Sequence, residues 1–569
     1  MNLPALFFAL AVQVTPPPTP PAIYTPPPSP SPSAPASATP LPSESPAPSA
    51  LTATPAALNL QPRQTQSVSI GNASGPVTAS IDVPLATIAV DQNARTLTVT
   101  AGAQTGRATI TVYDGTGASL QIPLRVALPA ATIPATIALR VTGDPVDQAW
   151  LQKQLQQAVL KAVQLQQGVA PQSVQIGSYS LPPSLGPGAS AGVPVPVHVA
   201  GGDRYLDADA QVSVTLENVA LDPFAPPLLF YDDDPEKIVQ NGVLYRAHVN
   251  PGAPARLYYY HQNTADARRL LVLLSAAGAQ TATVQLIDAS AGPNIDVMSV
   301  GHAVSRDFLT YKPRNQGVVV DVTPGAPLIA DDFRVMKPLD GAAGNIGIRI
   351  VSGGPVTVTV VAVPAQASAQ DVAAFAAGPQ LPGDGHHRTG IFNIAAYGTE
   401  TIAYSTAGPD AQFQYGAASP PLADPPASTG HDYGEYGVMR TLTFEVENPS
   451  ADPATVYLYE RPMGGVVRSS FLVNGALVQV GCARVSNRYQ IGPPFAAASG
   501  KSQIQVQTMT DGGSNYPLEV GLTTTPPEAV TPAITAADGC FPKPQSTSTP
   551  APGATPPVPM PEPTGRARF

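Results

Sequence analysis

The sequence is poor in cysteine, tryptophan and charged residues. Its 569 residues include two cysteines and one tryptophan, and charged residues make up 12% of the chain. Two cysteines are too few for a zinc site built from thiolates, and the charged heptads typical of coiled coils are missing. The net charge is −10, and no basic run exceeds two residues. Because phosphate binding requires clustered lysine and arginine, no nucleic-acid partner is expected.

Long apolar runs and the signature motifs of common enzymes are also missing. No segment reaches the about 20 apolar residues that a membrane-spanning helix needs. The sequence contains no phosphate-binding glycine loop, no serine nucleophile elbow and no zinc-protease helix motif. No pair of acidic residues stands in a context typical of glycoside hydrolysis. We therefore expect a protein that has no transmembrane helix and is not an enzyme.

Proline is abundant instead, with 68 residues. Residues 15–50 consist mainly of proline, serine, alanine and threonine, and residues 527–569 repeat this character. Such segments bury almost no apolar surface, so we predict a disordered proline-rich linker and a disordered proline-rich tail. Residues 1–14 precede the linker and contain a short apolar run, which makes them a candidate signal peptide. They lack the usual basic residues, so a short apolar terminus is the alternative.

Alternating apolar and polar residues, typical of half-buried strands, fill most of the remaining chain. One amphipathic helix is predicted at 145–167, with Asp144 as N-cap, Pro145 in the first turn and Gly168 after its end. Its apolar stripe is expected to pack on a small sheet. We predict a mainly β, multi-domain chain of immunoglobulin-like and other β-sandwiches with one small α+β module. The predicted order is an immunoglobulin-like domain (51–130), the α+β module (131–225), a β-sandwich (226–368), a linker (369–383) and a second β-sandwich (384–526).

One stretch resembles a known family. The segment TVTAGAQTGRATITVYDGTGASLQIPLRV places a glycine before an alternating strand, and an Asp-Gly turn before a final strand. This order is similar to the closing half of bacterial immunoglobulin-like domains of the invasin and intimin type. The resemblance covers residues 51–130 and implies a bacterial β-sandwich used in stalks and adhesive arrays, with no catalytic residue. The matching residues are Gly106, Ala108, Ile110, Val112, Asp114 and Gly115.

Two later segments share a local pattern. LYYYHQNTADARRLLVLL and LTFEVENPSADPATVYLY both contain a strand, an asparagine, a short loop with Ala-Asp, and a second strand. Asn263 aligns with Asn448, and Asp266 aligns with Asp452. Asn and Asp suit tight loops, because their side chains cap nearby backbone groups. The pattern indicates two hairpins, which are either a distant internal repeat or independent uses of the same loop chemistry.

The tyrosine run before the first loop is a candidate ligand-binding surface. A strand splits the run between two faces, with Leu257, Tyr259 and His261 on one and Arg256, Tyr258 and Tyr260 on the other. We predict that Tyr258 and Tyr260 form an exposed aromatic pair.

A cluster of acidic residues is a candidate metal site. Asp232, Asp233, Asp234 and Glu236 lie together, and such oxygen ligands suit calcium. An ordinary solvated turn at a domain boundary is the alternative. No other cofactor is expected.

Two loops rich in histidine and acidic residues form a second candidate metal site. GDGHHRTGIF and GHDYGEYG could supply histidine and carboxylate ligands if the two loops meet. Polar loops without a metal are the alternative.

The two cysteines are a candidate disulfide. In an exported protein, Cys482 and Cys540 would pin the start of the tail to the last folded domain. Two unrelated thiols are the alternative.

These features together favour a secreted or surface-exposed bacterial protein. We expect a structural or adhesive role, with an envelope component, a surface protein or a glycan as partner. The alternative is a secreted carbohydrate- or protein-binding module, with or without a dependence on calcium. The sequence leaves the ligand and the oligomeric state open.

Overall fold

The structure is a computed structural model, and it describes residues 50–384, 388–394, 398–419, 432–529 and 540. The candidate signal peptide and nearly all of the two predicted proline-rich segments lie outside these residues. The fold is mainly β, which confirms the predicted fold class. The chain divides into two compact units.

The first unit comprises most of the described residues up to Leu124. Its strands belong to two four-stranded sheets, in the orders β1-β3-β6-β5 and β2-β8-β7-β4. Buried apolar side chains alternate with more exposed residues along β6 and β7, as the period of two predicts. The strands are β1 (Thr52–Thr54), β2 (Leu58–Leu60), β3 (Thr65–Gly71), β4 (Thr78–Ile81), β5 (Ala86–Asp91), β6 (Thr96–Ala101), β7 (Gly106–Tyr113) and β8 (Ser119–Val126).

The Asp-Gly turn between β7 and β8 depends on the Asp114 side chain. One carboxylate oxygen accepts a hydrogen bond from the Ser74 backbone N–H at 3.0 Å, and the other accepts from the Thr116 hydroxyl at 2.7 Å. These hydrogen bonds lower the pKa of Asp114, because they favour the charged carboxylate. The turn therefore forms where the sequence predicts it.

The second unit begins with the helix-containing region. Its helix α1 covers Gln148–Ala162, whereas the sequence predicted 145–167. Asp147 rather than Asp144 is the N-cap, since its carboxylate accepts from the Trp150 backbone N–H at 2.9 Å. At the other end Val163 is extended and the chain continues into a short strand, so the helix stops before Gly168. The strands here are β9 (Ala131–Thr132), β10 (Thr136–Thr142), β11 (Gln164–Leu165), β12 (Val174–Ile176), β13 (Ser190–Val199) and β14 (Ala208–Asn218).

The predicted apolar stripe of α1 does pack on a sheet. Leu151, Leu155 and Val159 are fully buried and share one core with valines of β13 and β14.

The next region contains two packed sheets and two further helices. The four-stranded sheet has the order β17-β24-β19-β22, and its inner face shares a core with β18, β20 and β23. The elements are β15 (Leu228–Asp233), β16 (Lys237–Ile238), β17 (Gly242–Val249), β18 (Ala255–Asn263), β19 (Arg268–Ala276), β20 (Ala282–Asn294), α2 (Val297–Tyr311), β21 (Gly317–Val322), β22 (Leu328–Met336), β23 (Gly341–Ser352), β24 (Val356–Pro364), α3 (Ala369–Ala376) and β25 (Arg388–Asn393).

The opposite sheet of this sandwich extends beyond the predicted domain. It has eleven strands in the order β12-β13-β14-β10-β21-β20-β23-β18-β15-β25, with β16 also pairing with β18. The antiparallel pair of β10 with β21 joins the predicted α+β module to the predicted first sandwich. The boundary at 225/226 therefore does not separate two folded bodies. Pairing between distant strands does not change the amino-acid composition around residues 225 and 226. The sequence therefore does not indicate that the two regions share a sheet.

Two further predicted boundaries also differ from the structure. The linker 369–383 contains helix α3, which Ser368 caps by accepting from the Asp371 backbone N–H. β25 lies within the predicted second sandwich but pairs with β15 of the first.

The last region is a sandwich of two five-stranded sheets. Their orders are β26-β30-β36-β32-β33 and β27-β37-β31-β34, with β35 pairing with β31. Both sheets contribute to one apolar core. The strands are β26 (Thr399–Ser405), β27 (Ala411–Tyr415), β28 (Ala418–Ser419), β29 (Asp432–Tyr433), β30 (Met439–Asn448), β31 (Ala454–Pro462), β32 (Val467–Val473), β33 (Ala476–Ala483), β34 (Tyr489–Gln490), β35 (Phe495–Ala497), β36 (Gly500–Met509) and β37 (Leu518–Thr523).

Helix α2 packs against both sandwiches. Val300 and Val304 contact the first sandwich beside Tyr258 and Tyr260. Phe308 lies in a second cluster with Leu472 and Met509 of the last sandwich, among others. No helix among the described residues has the length and apolar character needed to cross a membrane.

The two predicted hairpins are not hairpins. β18 and β19 belong to different sheets, and so do β30 and β31. In each case the loop carries the chain across the sandwich as an arch. The sequence pattern of strand, loop and strand is the same for both connections, so it could not distinguish them.

Candidate functional site

Strand β18 places its tyrosines on two faces, as the alternation predicts. Tyr259 lies in the core between the two sheets of the first sandwich. Tyr258 and Tyr260 lie on the opposite face, in a cluster with Val300 and Val304 of α2. The prediction that they are exposed is wrong, because their exposed fractions are 2% and 6%. Helix α2 and loops of the last sandwich cover this face, and strand periodicity does not distinguish such a cover from solvent.

Tyr258 and Tyr260 nevertheless line a pocket of about 300 Å³, which we call the tyrosine pocket. It lies where β15 and β18 meet the start of β25 and two loops of the last sandwich. Tyr231 comes from β15, Arg388 from β25, Tyr433 and Tyr436 from residues 432–438, and the loop after β36 completes the wall.

Three tyrosine rings stack along one side of the tyrosine pocket. Tyr231 and Tyr258 are direct neighbours in the parallel pair of β15 with β18, and their ring centroids are 5.6 Å apart at an interplanar angle of 16°. Tyr436 continues the stack at 6.4 Å from Tyr258, again at 16°. Its hydroxyl donates to the Ser514 carbonyl at 2.6 Å, which fixes the ring against the loop after β36.

Two glycines allow the loops to approach Tyr258 this closely. A Cβ atom on Gly437 would lie 3.0 Å from the Tyr258 Cβ, and the φ of Gly437 is +79°. A Cβ atom on Gly512 would lie 2.7 Å from the Tyr258 hydroxyl oxygen. Larger residues at either position would push the loops away from the stack.

Charged and polar groups lie at the rim. Asp233 accepts a hydrogen bond from the Tyr231 hydroxyl at 3.2 Å, and Glu236 lies nearby. Burial raises the pKa of Tyr260, and the negative charges of Glu236 and Asp233 raise it further. Tyr260 therefore keeps its proton and stays a hydrogen-bond donor.

The guanidinium carbon of Arg388 is 5.0 Å from the ring centroid of Tyr433, whose side chain is 57% exposed. The two loops predicted as a second metal site therefore meet. His386, His387 and His431 lie outside the described residues.

The four acidic residues predicted to bind calcium are divided among different environments. Asp232 is fully buried against His261, and Asp234 accepts from the Asp384 backbone N–H at 2.7 Å. Asp233 and Glu236 line the tyrosine pocket instead. The structure does not bring these four carboxylates together as a calcium site. Within the described residues, no group of three His, Cys, Asp or Glu side chains is placed to hold a metal ion.

His261 and Asp232 form a buried pair behind this segment. The imidazole Nε2 is 3.0 Å from an Asp232 carboxylate oxygen, and Nδ1 is 2.9 Å from the Pro235 carbonyl. Because both nitrogens face acceptors, the doubly protonated ring satisfies both contacts. Burial acts to lower the pKa of His261, but the charge and hydrogen bond of Asp232 and the Pro235 carbonyl outweigh it, so the net pKa is raised.

The two cysteines are joined. A disulfide links Cys482 on β33 to Cys540, and their Cα atoms are 5.2 Å apart. The bond attaches the start of the tail to the last sandwich.

No protein-family model matches the chain. No curated protein matches it either. Solved structures with a weak likeness include a tri-modular endo-β-1,4-glucanase from Bacillus licheniformis complexed with cellotetraose. The likeness has 12% identity and a TM-score of 0.13, and it covers 29% of this chain and 38% of the endoglucanase.

Two further structures show a similarly weak likeness. A mixed-linkage glucan utilization protein of Bacteroides ovatus, in complex with a heptasaccharide, has 10% identity and a TM-score of 0.12, with 52% of this chain and 70% of the other covered. The Yersinia pseudotuberculosis adhesin InvE has 16% identity and a TM-score of 0.12, with 34% and 70% covered. At these TM-scores, no conclusion about fold or function rests on the likenesses.

The tyrosine run predicts Tyr258 and Tyr260 as site residues, whereas Tyr231, Tyr433 and Tyr436 were not predicted. The last two lie in GHDYGEYG, where tyrosines alternate with glycines. That spacing was a usable signal, because glycine loops let aromatic rings approach other elements closely. Nothing in the sequence near Tyr231 indicates that β15 pairs in parallel with β18.

Proposed function

We propose that this protein is a non-catalytic component of a bacterial cell surface that adheres to a carbohydrate through its tyrosine pocket. The observation that carries the proposal is the stack of Tyr231, Tyr258 and Tyr436 beside charged side chains in a pocket of about 300 Å³. The partner is a glycan of an envelope or of another surface.

The chemistry of the tyrosine pocket supports a carbohydrate ligand. A sugar ring has an apolar C–H face that packs on aromatic rings, and a rim of hydroxyls that pair with polar groups. Tyr433 and Tyr436 offer the accessible aromatic surface. Asp233 and Glu236 can accept hydrogen bonds from hydroxyls, and Arg388 can donate to them.

Two observations support a location outside the cytoplasm. The disulfide between Cys482 and Cys540 suits an oxidising compartment, because thiols stay reduced in most cytosols. The resemblance of residues 51–130 to invasin-type domains supports a surface role in bacteria. Cell fractionation tests this part: the chain is expected with the envelope or the medium, and a cytoplasmic pool alone would contradict it.

Binding can be tested on the intact chain with soluble xylan, mannan, β-glucan and pectin, by affinity electrophoresis and then calorimetry. We expect at least one of these polysaccharides to bind, and Tyr433→Ala to weaken its affinity about tenfold, equivalent to about 1.4 kcal/mol. Tyr113→Ala is the matched control, since Tyr113 is 43% exposed in the first unit, on β7. The carbohydrate proposal fails if none of the four binds or if both variants weaken binding equally.

The non-catalytic part has a separate test. Incubation with the bound polysaccharide should release no new reducing ends, whereas their accumulation would identify an enzyme. Because the carboxylates of Asp232, Asp233, Asp234 and Glu236 do not converge, we expect EDTA to leave the affinity unchanged. A loss of binding that calcium restores would return these residues to a metal-dependent role.

A further inference from the structure

A second groove of the second unit lies away from the tyrosine stack. It has a volume of about 580 Å³ and runs between helix α1 and strands β20, β21 and β22. Its helix wall carries Lys153 and Lys161, and its floor carries Asp288 and Asp331. We call it the α1 groove.

The floor of the α1 groove is an acidic pair held by the first sandwich. One Asp331 oxygen accepts from the Ser290 hydroxyl at 2.6 Å, and the other accepts from the Tyr259 hydroxyl at 2.7 Å. Burial raises the pKa of Asp288 well above its usual range, and the charge of Asp331 raises it further. Burial also raises the pKa of Asp331, against the hydrogen bonds from Ser290 and Tyr259. Burial and the repulsion between the two carboxylates therefore both favour a proton on the pair.

The helix wall carries the opposite charge. Lys153 and Lys161 are both exposed, and their positive charges lower the pKa of Asp288, which places them within electrostatic reach of the floor. Neither lysine forms an ion pair with another described residue. They are eight residues apart, which corresponds to about 12 Å along a helix. An extended chain of about four residues covers the same distance.

The third wall is the outer edge of a strand. Within the described part of the chain, β22 pairs only with β19. Leu328, Ile329 and Ala330 of this edge strand line the α1 groove consecutively, so the edge of the strand faces it. An unpaired edge offers backbone N–H and C=O groups to another extended chain.

We propose that the α1 groove binds an extended peptide of about four residues by adding it to the edge of β22. An ammonium group at one end of the peptide lies over Asp288 and Asp331, and an acidic group at the other end faces one of the two lysines of α1. Apolar residues of the peptide pack on Leu328, Ala330 and their neighbours. This peptide site is independent of the carbohydrate proposed for the tyrosine pocket.

The single tryptophan of the chain reports directly on this groove. Trp150 lines it and lies edge-on to Tyr311, with ring centroids 6.3 Å apart. The probe is the acetylated, amidated pentapeptide Lys-Val-Thr-Val-Glu, titrated into the full chain while tryptophan emission is followed. We expect a saturable change in emission. If tryptophan emission does not change at peptide concentrations up to about 1 mM, the proposal is overturned. A dissociation constant of about 1 mM corresponds to a binding free energy of only about 4 kcal/mol.

Charge reversal separates this site from non-specific binding. The double variant Lys153→Glu with Lys161→Glu should weaken the probe at least tenfold, and it should bind Lys-Val-Thr-Val-Lys more tightly than the wild type does. Lys501→Glu, an exposed lysine on β36, is the matched control and should leave both affinities unchanged. The proposed site would be contradicted if Lys501→Glu weakened the binding of the probe as much as the double variant does. It would also be contradicted if the double variant did not prefer Lys-Val-Thr-Val-Lys over Lys-Val-Thr-Val-Glu.

Discussion

The two arches of the second unit have the same loop and different surroundings. Asn263 ends β18 and Asn448 ends β30, and both side chains are almost fully buried. The Asn263 amide donates to the Asp266 carbonyl at 3.0 Å and to Met336 at 2.8 Å. The Asn448 amide donates to the Asp452 carbonyl at 2.9 Å and to Ala497 at 3.0 Å. One asparagine thus closes each loop and ties it to a neighbouring strand.

The strands that enter the arches differ. β18 is buried on both faces, whereas β30 buries one face and leaves the other partly open to solvent. The difference arises because α2 and loops of the last sandwich cover the Tyr258 face of β18. The hydrogen bonds within the loop are therefore similar in the two arches. Only the strand that enters the first arch, β18, is covered by α2 and by loops of the last sandwich, which form the tyrosine pocket with it.

The largest expected difference is at the aligned positions Tyr258 and Thr443. Tyr258→Ala should lower the free energy of unfolding by about 3 to 5 kcal/mol, because it removes a buried ring from a packed stack. Thr443→Ala, on the half-exposed face of β30, should cost less than about 1 kcal/mol. Denaturant unfolding measures both. Equal losses in the free energy of unfolding for the two variants would mean that the Tyr258 face of β18 is no more buried than the Thr443 face of β30.

The strands that follow the arches, β19 and β31, differ at one buried position. Leu274 of β19 aligns with Glu460 of β31, and both side chains are fully buried. Burial raises the pKa of Glu460 to about 8, and the charge of Asp511 raises it further. The folded state keeps a proton that the unfolded chain releases, so stability should fall as pH rises from about 4.5 to about 8. Glu460→Gln should therefore stabilise the protein by up to about 5 kcal/mol at pH 9 and have little effect at pH 4. Thermal unfolding at the two pH values tests this, and equal shifts would contradict it.

Removing either arch asparagine should be costly. Asn263→Ala should destabilise by about 2 to 3 kcal/mol, since it removes the amide partner of several buried backbone groups and one hydrogen bond of the Arg268 guanidinium. Asn448→Ala should cost about 1 to 2 kcal/mol for the same reason with fewer contacts. Asn93→Ala, at an exposed turn of the first unit, is the control and should change stability by less than about 0.5 kcal/mol. A larger loss for Asn448→Ala would reverse the comparison.

The smallest expected effect is a pH dependence that the first arch has and the second does not. His261 aligns with Val446, and the folded-state pKa of His261 is raised. Its protonation therefore stabilises the fold below its ordinary pKa of about 6.5, and this contribution is lost as pH rises through the folded pKa. His261→Val should remove that part of the pH dependence, apart from the separate loss of stability caused by leaving the buried Asp232 carboxylate without its imidazole partner. An unchanged stability profile above pH 6.5 would contradict the charged His261–Asp232 pair.

The sequence carried the local features and not the long-range ones. The mainly β fold, the apolar stripe of α1, the Asp114 turn and the shared asparagines all follow from periodicity and side-chain chemistry within a few residues. The eleven-stranded sheet, the arches and the cover over Tyr258 depend on which distant strands pair, and no local pattern encodes that choice. For the same reason, Tyr258 and Tyr260 could be predicted as candidate site residues, but their burial and their neighbours Tyr231 and Tyr436 could not.

The most direct test of the tyrosine pocket is hydroxyl-radical footprinting with mass spectrometry, with and without a polysaccharide that binds. Tyr433 and Tyr436 should be protected from oxidation in the complex, while the exposed Tyr113 of the first unit should be oxidised equally in both samples. Protection of Tyr113, or unchanged oxidation of Tyr433 and Tyr436, would show that the ligand binds elsewhere.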